Sequence, residues 1–173
     1  MIRRGFALFA LIFFLEVTEG GLRAALGLQD WALGLSFGVL VYLGARLGLE
    51  GAITAAAAGY VMDLFTGGPI GPSIFLCVAT YLFVRLASGA LDLQQPILVA
   101  AMALAARVVY ALLTLVLVAI GPARYPAWLD LAGGAALALL PATLAAPAVY
   151  ALARAVDRRA GGRESEAGEV WLT

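Results

Sequence analysis

A bundle of six membrane-spanning helices is the fold this sequence predicts, and three observations predict it. Hydrophobic residues fill 64% of the 173 positions and charged residues only 13%, too few to clothe a water-soluble domain of this size in polar groups. Mean hydropathy is +0.99. Apolar runs of about 20 residues, the length a helix needs to cross a roughly 30 Å hydrocarbon core, recur between Gly5 and Ala155.

The first span is expected from Gly5 to Leu28 and the second from Trp31 to Leu47. The third covers Gly51 to Phe65 and the fourth Ser73 to Ser88. The fifth covers Pro96 to Ile120 and the sixth Leu129 to Ala155, with Pro141 and Pro147 expected to kink it. Short connections make successive helices antiparallel neighbours. The first span opens on Arg3 and Arg4 like a signal peptide, but Glu16 and Glu19 interrupt its apolar run, so it is read as a retained helix. The transmembrane domain then covers residues 1–157, and the charged, glycine-rich stretch 158–173 is expected to be a disordered tail.

Arginine placement sets the orientation. Arg3, Arg4, Arg46, Arg85, Arg154, Arg158, Arg159 and Arg163 fall on one side of the expected spans. Arg124 lies on the other side, and Arg23 lies near that end of the first span. The positive-inside bias puts both termini in the cytoplasm, with Trp31, Tyr125 and Trp128 at the outer interface.

Composition excludes several chemistries. The chain has no histidine and no lysine, which removes an imidazole base, a histidine metal cluster and a Schiff-base amine. Its single cysteine, Cys77, lies in an apolar run and cannot form an internal disulfide. Eleven acidic residues balance eleven arginines, so net charge gives no sign of a nucleic-acid partner. No phosphate-binding glycine loop or nucleophile elbow is present. An enzyme is not expected, and no cofactor or metal is expected.

Ionisable groups inside spans are costly and therefore become the candidate functional residues. Glu16, Glu19 and Arg23 share one face of the first helix. Arg107, Tyr110 and Thr114 form a second polar stripe on the fifth, and Asp63 lies on the third with Gly59 and Thr66 on its face. Counting about 1.5 Å per residue puts Glu16, Glu19, Asp63 and Arg107 at a common depth of roughly 16–21 Å. Arg107 is accordingly expected within hydrogen-bonding reach of Glu16, Glu19 or Asp63. Such a cluster serves as a packing network, as a pocket for a small molecule or lipid headgroup, or as an ion path, and the packing network is the default. Small residues mark helix contacts, namely Gly34 with Gly38, Gly44 with Gly48, and the run Ala55 to Gly59. Gly34 and Gly38 are the expected face for a partner helix.

The most specific text is Gly59-Tyr60-Val61-Met62-Asp63-Leu64-Phe65-Thr66-Gly67-Gly68-Pro69-Ile70-Gly71. It reads as a helix carrying an acid in its last turns, stopped at Gly67-Gly68 and by Pro69, and returning tightly at Gly71. An acid near a helix C-terminus opposes the macrodipole. Asp63 is therefore expected to bond amides or hydroxyls near Ser73, with Gly67 or Gly68 at positive φ.

This segment resembles the signature of the MreD family of bacterial rod-shape-determining membrane proteins, through Gly59, Asp63, Thr66, Gly67, Pro69, Ile70 and Gly71. Chain length, the six short-looped spans and the Asp30-Trp31 start of the second span agree with it. Glu16 and Glu19 depart from the family's pattern. The resemblance implies a fold similar to the substrate-binding components of energy-coupling-factor transporters and a place in the inner membrane. It implies a non-catalytic role in the cell-wall elongation machinery, binding the membrane helix of an MreC-like single-span protein near MreB, RodA and a transpeptidase. The alternative is a membrane substrate-binding component of a small-molecule transporter, with its ligand among spans one, three and five.

Overall fold

The computed structural model describes residues 2–27, 34–66, 70–89, 95–120 and 128–161, with backbone alone at 2, 66 and 128–140. These residues form six helices and no strand: α1 (Ile2–Leu26), α2 (Ser36–Arg46), α3 (Leu49–Thr66), α4 (Pro72–Ser88), α5 (Pro96–Ile120) and α6 (Trp128–Arg159). The expected bounds of the fifth helix coincide with those of α5, because Pro96 opens it at a position where a missing amide costs nothing. The sixth helix runs unbroken through Pro141 and Pro147 to Arg159. Arg158 and Arg159 therefore belong to α6 and not to the expected tail, whose remainder from 162 lies outside the described residues.

Two helices, Arg3–Leu26 and Pro96–Ile120, are long and apolar enough to cross a membrane. The second element departs most from expectation. Its helix holds 11 residues, about 16 Å at 1.5 Å per residue, or half a hydrocarbon core. Residues 28–33, including Asp30 and Trp31, lie outside the described residues.

The short α2 is the central post. It packs against each of the other five helices, and every residue from Ser36 to Gly44 is buried. Val39, Leu40, Val41 and Leu43 anchor the core at 1% exposure or less. Close approach explains the small residues on it. A Cβ at Gly38 would lie 2.7 Å from the Val149 Cβ of α6, and one at Gly44 would lie 2.6 Å from Val84 of α4.

A helix buried over most of its length must satisfy its terminal amides and carbonyls largely without water. Neighbouring helices do so here. Glu19 of α1 accepts from the Gly34 and Leu35 amides ahead of α2, both at 3.0 Å. At the other end, the Tyr81 hydroxyl donates to the Leu47 and Gly48 carbonyls at 2.9 and 2.6 Å, and Arg85 reaches the Leu47 carbonyl at 3.3 Å.

The outer five helices are apolar on the outside as well. Phe6 is 70% exposed, Ile53 62%, Leu86 81%, Ile97 73% and Leu144 79%, whereas α2 exposes no large hydrophobic residue. On α5 the outward positions Ile97, Leu104, Val108, Leu112, Val116 and Ile120 make one continuous apolar stripe. A water-soluble helix keeps that face polar.

Candidate functional site

Both ends of the bundle are tied by buried acids, and a small polar cavity lies between α1 and α5. At the α3–α4 turn, Asp63 is 3% exposed. Its carboxylate accepts from the Gly71 amide at 2.7 Å and from the Ser73 amide at 2.9 Å. The Ser73 hydroxyl and the Ile74 amide lie close by. These amides open α4, so Asp63 caps the next helix from the preceding one and sets a full negative charge at the positive end of its dipole.

Two glycines make this possible. Gly71 has φ 132°, a conformation side chains avoid, and so turns its amide back toward Asp63. Gly59 lets α3 touch the start of α4, where an added Cβ would sit 2.5 Å from the Ser73 carbonyl oxygen. The positive φ expected at Gly67 or Gly68 falls on residues 67–69, which, with Pro69, lie outside the described residues. The side chain of Thr66 lies outside them too.

Glu19 performs the same task at α2 that Asp63 performs at α4, which the sequence reading missed. Its carboxylate is committed to the Gly34 and Leu35 amides, and Arg23 one turn on leans against it at 4.0 Å. Gly34 is not part of α2. It has φ 64°, and an added Cβ would sit 3.0 Å from the Arg107 guanidinium.

The expected ion pair of Arg107 does not form. Among the described residues no carboxylate lies within 4.0 Å of its guanidinium, which instead rests 4.6 Å over the Phe37 ring. The reason is placement. α1 packs on α3, α6 and α2, whereas α5 packs on α6, α4 and α2, so central α2 keeps the two polar stripes apart. The result is a cavity of about 120 Å³ whose lining includes Glu16, Glu19, Arg23, Gly34, Arg107 and Tyr110. Asp63 does not line it, because it faces α4. Thr114 is turned back to its own helix, donating to the Tyr110 carbonyl at 2.8 Å.

The expected partner face is also corrected. Gly34 abuts Arg107 and Ala142, and Gly38 abuts Val149 and the Ala146 carbonyl. Both are buried inside this chain, so neither forms a surface for another protein's helix.

The opposite end carries a contact absent from the sequence reading. Asp157 of α6 accepts from Nε and Nη2 of Arg4 at 2.8 and 2.9 Å and from the Tyr42 hydroxyl at 2.7 Å, tying α1, α2 and α6 together. The signal available was the one used for Asp63, an acid in the last turns of a helix. Burial alone would push the Asp157 carboxyl up, but the hydrogen bonds from Arg4 and Tyr42 outweigh it and hold it below the usual carboxylate range.

Among the described residues no three carboxylate, thiol or imidazole groups converge to hold a metal. No known protein family, curated protein or solved structure matches the chain.

Proposed function

We propose that this protein is a non-enzymatic, six-span scaffold of the bacterial inner membrane, with both termini cytoplasmic. In this reading it serves the cell-wall elongation complex by holding the membrane helix of an MreC-like single-span protein, in company with MreB, RodA and a transpeptidase. One observation carries the reading. Gly59, Asp63 and Gly71, three of the residues that support the MreD resemblance, act together as one device that joins α3 to α4. A motif with a single structural task is what a rigid scaffold needs. The apolar exterior of the five outer helices supports a bilayer surround.

The buried carboxylates Glu19, Asp63 and Asp157 are all committed to internal partners, which favours a structural role over a catalytic one. The transporter alternative draws on the polar cavity. Its 120 Å³ is well below the roughly 300–1,000 Å³ of pockets that bury a drug-sized ligand, so the scaffold reading is preferred.

The partner's helix must then dock on the outer five helices. Co-expression with an MreC-like protein and co-purification in detergent tests the reading. Stable recovery of the pair is expected, together with its loss from Asp63→Ala. Gly38→Leu should reduce folded protein as a whole. Absence of any complex with the intact chain, or uptake of a small solute by the protein with an ATPase module, would overturn the scaffold reading.

A further inference from the structure

We propose that the cavity between α1 and α5 is a binding site for a small zwitterionic group, one primary ammonium and one oxyanion a few bonds apart. The shared chemistry is that of a free amino acid and of an ethanolamine phospholipid headgroup. This proposal is independent of the scaffold reading.

The argument starts from what the cavity's charges lack. Glu19 is fully engaged by two amides, and Arg23 leans on it. Glu16 and Arg107 remain. Each lines the cavity, and among the described residues neither has an ion-pair partner within 4.0 Å. Glu16 has the Ser36 hydroxyl beside it, and Arg107 has the Phe37 ring. The Tyr110 hydroxyl also lines the space and donates to no acceptor among the described residues.

Opposite charges that share a low-dielectric cavity attract strongly, and leaving them apart is costly unless something polar lies between. Here the backbone holds them apart, because α2 separates α1 from α5. The four charged side chains, Glu16, Glu19, Arg23 and Arg107, sum to zero. A neutral guest with both signs preserves that balance, whereas a simple anion or cation would leave a net charge in the bundle. Arg107 and Tyr110 on α5 would hold the oxyanion, and Glu16 on α1 the ammonium. The volume, 120 Å³, suits a headgroup-sized guest and excludes a larger cofactor.

The test uses the full chain in a neutral detergent, titrated calorimetrically with three probes: glycine, glycerophosphoethanolamine and glycerophosphoglycerol. Cys77 lines the same cavity and is buried, so the temperature at which its thiol becomes exposed on unfolding, which a bound guest raises, is a second readout. Saturable binding of glycine, of glycerophosphoethanolamine, or of both is expected, with a higher thiol-exposure temperature. Glycine alone identifies a free amino acid as the source, and glycerophosphoethanolamine alone a lipid headgroup. Arg107→Gln and Glu16→Gln should each weaken binding about 10- to 100-fold, the loss of one charge-assisted contact. Tyr110→Phe, which removes a single hydroxyl and leaves the ring against Phe37, should weaken it about 2- to 10-fold even if the charge variants fold poorly. Binding of neither zwitterion, equal binding of the ammonium-free glycerophosphoglycerol, or affinity unchanged in folded Tyr110→Phe would overturn the proposal.

Discussion

Replacing Asp63 with alanine removes the one acceptor shared by the Gly71 and Ser73 amides. Each donor left without a partner in a buried setting costs about 1–3 kcal/mol. Gly71 is half-buried, so water can reach part of the turn, and the pair together should cost about 2–4 kcal/mol. At roughly 2–4 °C per kcal/mol for a chain of this size, the unfolding midpoint should fall by about 5–15 °C. Cys77 provides the assay. It is the chain's single cysteine, it is fully buried on α4, and its sulfur lies 3.8 Å from that of Met62 on α3. A thiol-reactive fluorophore therefore reports the separation of α3 from α4. Asp63→Asn keeps one carbonyl oxygen and should lose roughly half as much. If alanine left the temperature of thiol exposure within about 2 °C of the parent, Asp63 would not be the tie between these helices and the reasoning would fail.

Two further outcomes follow from the same geometry. Gly59→Ala puts a methyl 2.5 Å from the Ser73 carbonyl and 2.6 Å from the Ile74 Cα, backbone atoms that cannot step aside, and should destabilise by about 1–3 kcal/mol. Gly48→Ala meets nothing within 4 Å and should leave the thiol-exposure temperature unchanged; equal effects would refute the close-contact argument. For Asp157 the folded carboxyl lies below its usual range, so its clasp contributes fully above the unfolded value of about 3.9 and is lost as pH falls through the folded one. The midpoint of the parent should drop between about pH 5 and pH 3 more steeply than that of Asp157→Asn. Parallel curves would remove Asp157 from the account.

Much of the Asp63 turn was legible because its parts are close in sequence. An acid in the last turns of α3, a proline that blocks continuation and a glycine at the return are local features. Together they specify an acid facing the next helix's first amides. The helices were legible for the same reason, most of all α5, which combines an N-terminal proline with an unbroken apolar run. Asp157 was not legible in the same way. Its partner Arg4 is 153 residues away, and nothing near either residue names the other.

Counted depth brought Glu16, Glu19 and Arg107 to one cavity but not Asp63, which faces α4, and it was a poor guide to neighbours. The expected ion pair failed because it depends on which helices touch, and α2 packs between α1 and α5. Hydropathy cannot foresee that the second run yields the shortest helix and becomes the central post, with its glycines spent on α4 and α6. Periodicity and breakers act over a few residues, so the sequence by itself determined where helices form, how they end and that their outer faces are apolar. The tertiary structure alone decided which acid caps which amide and which arginine is left facing a cavity, since those outcomes depend on the three-dimensional order of helices, on which local sequence carries no information.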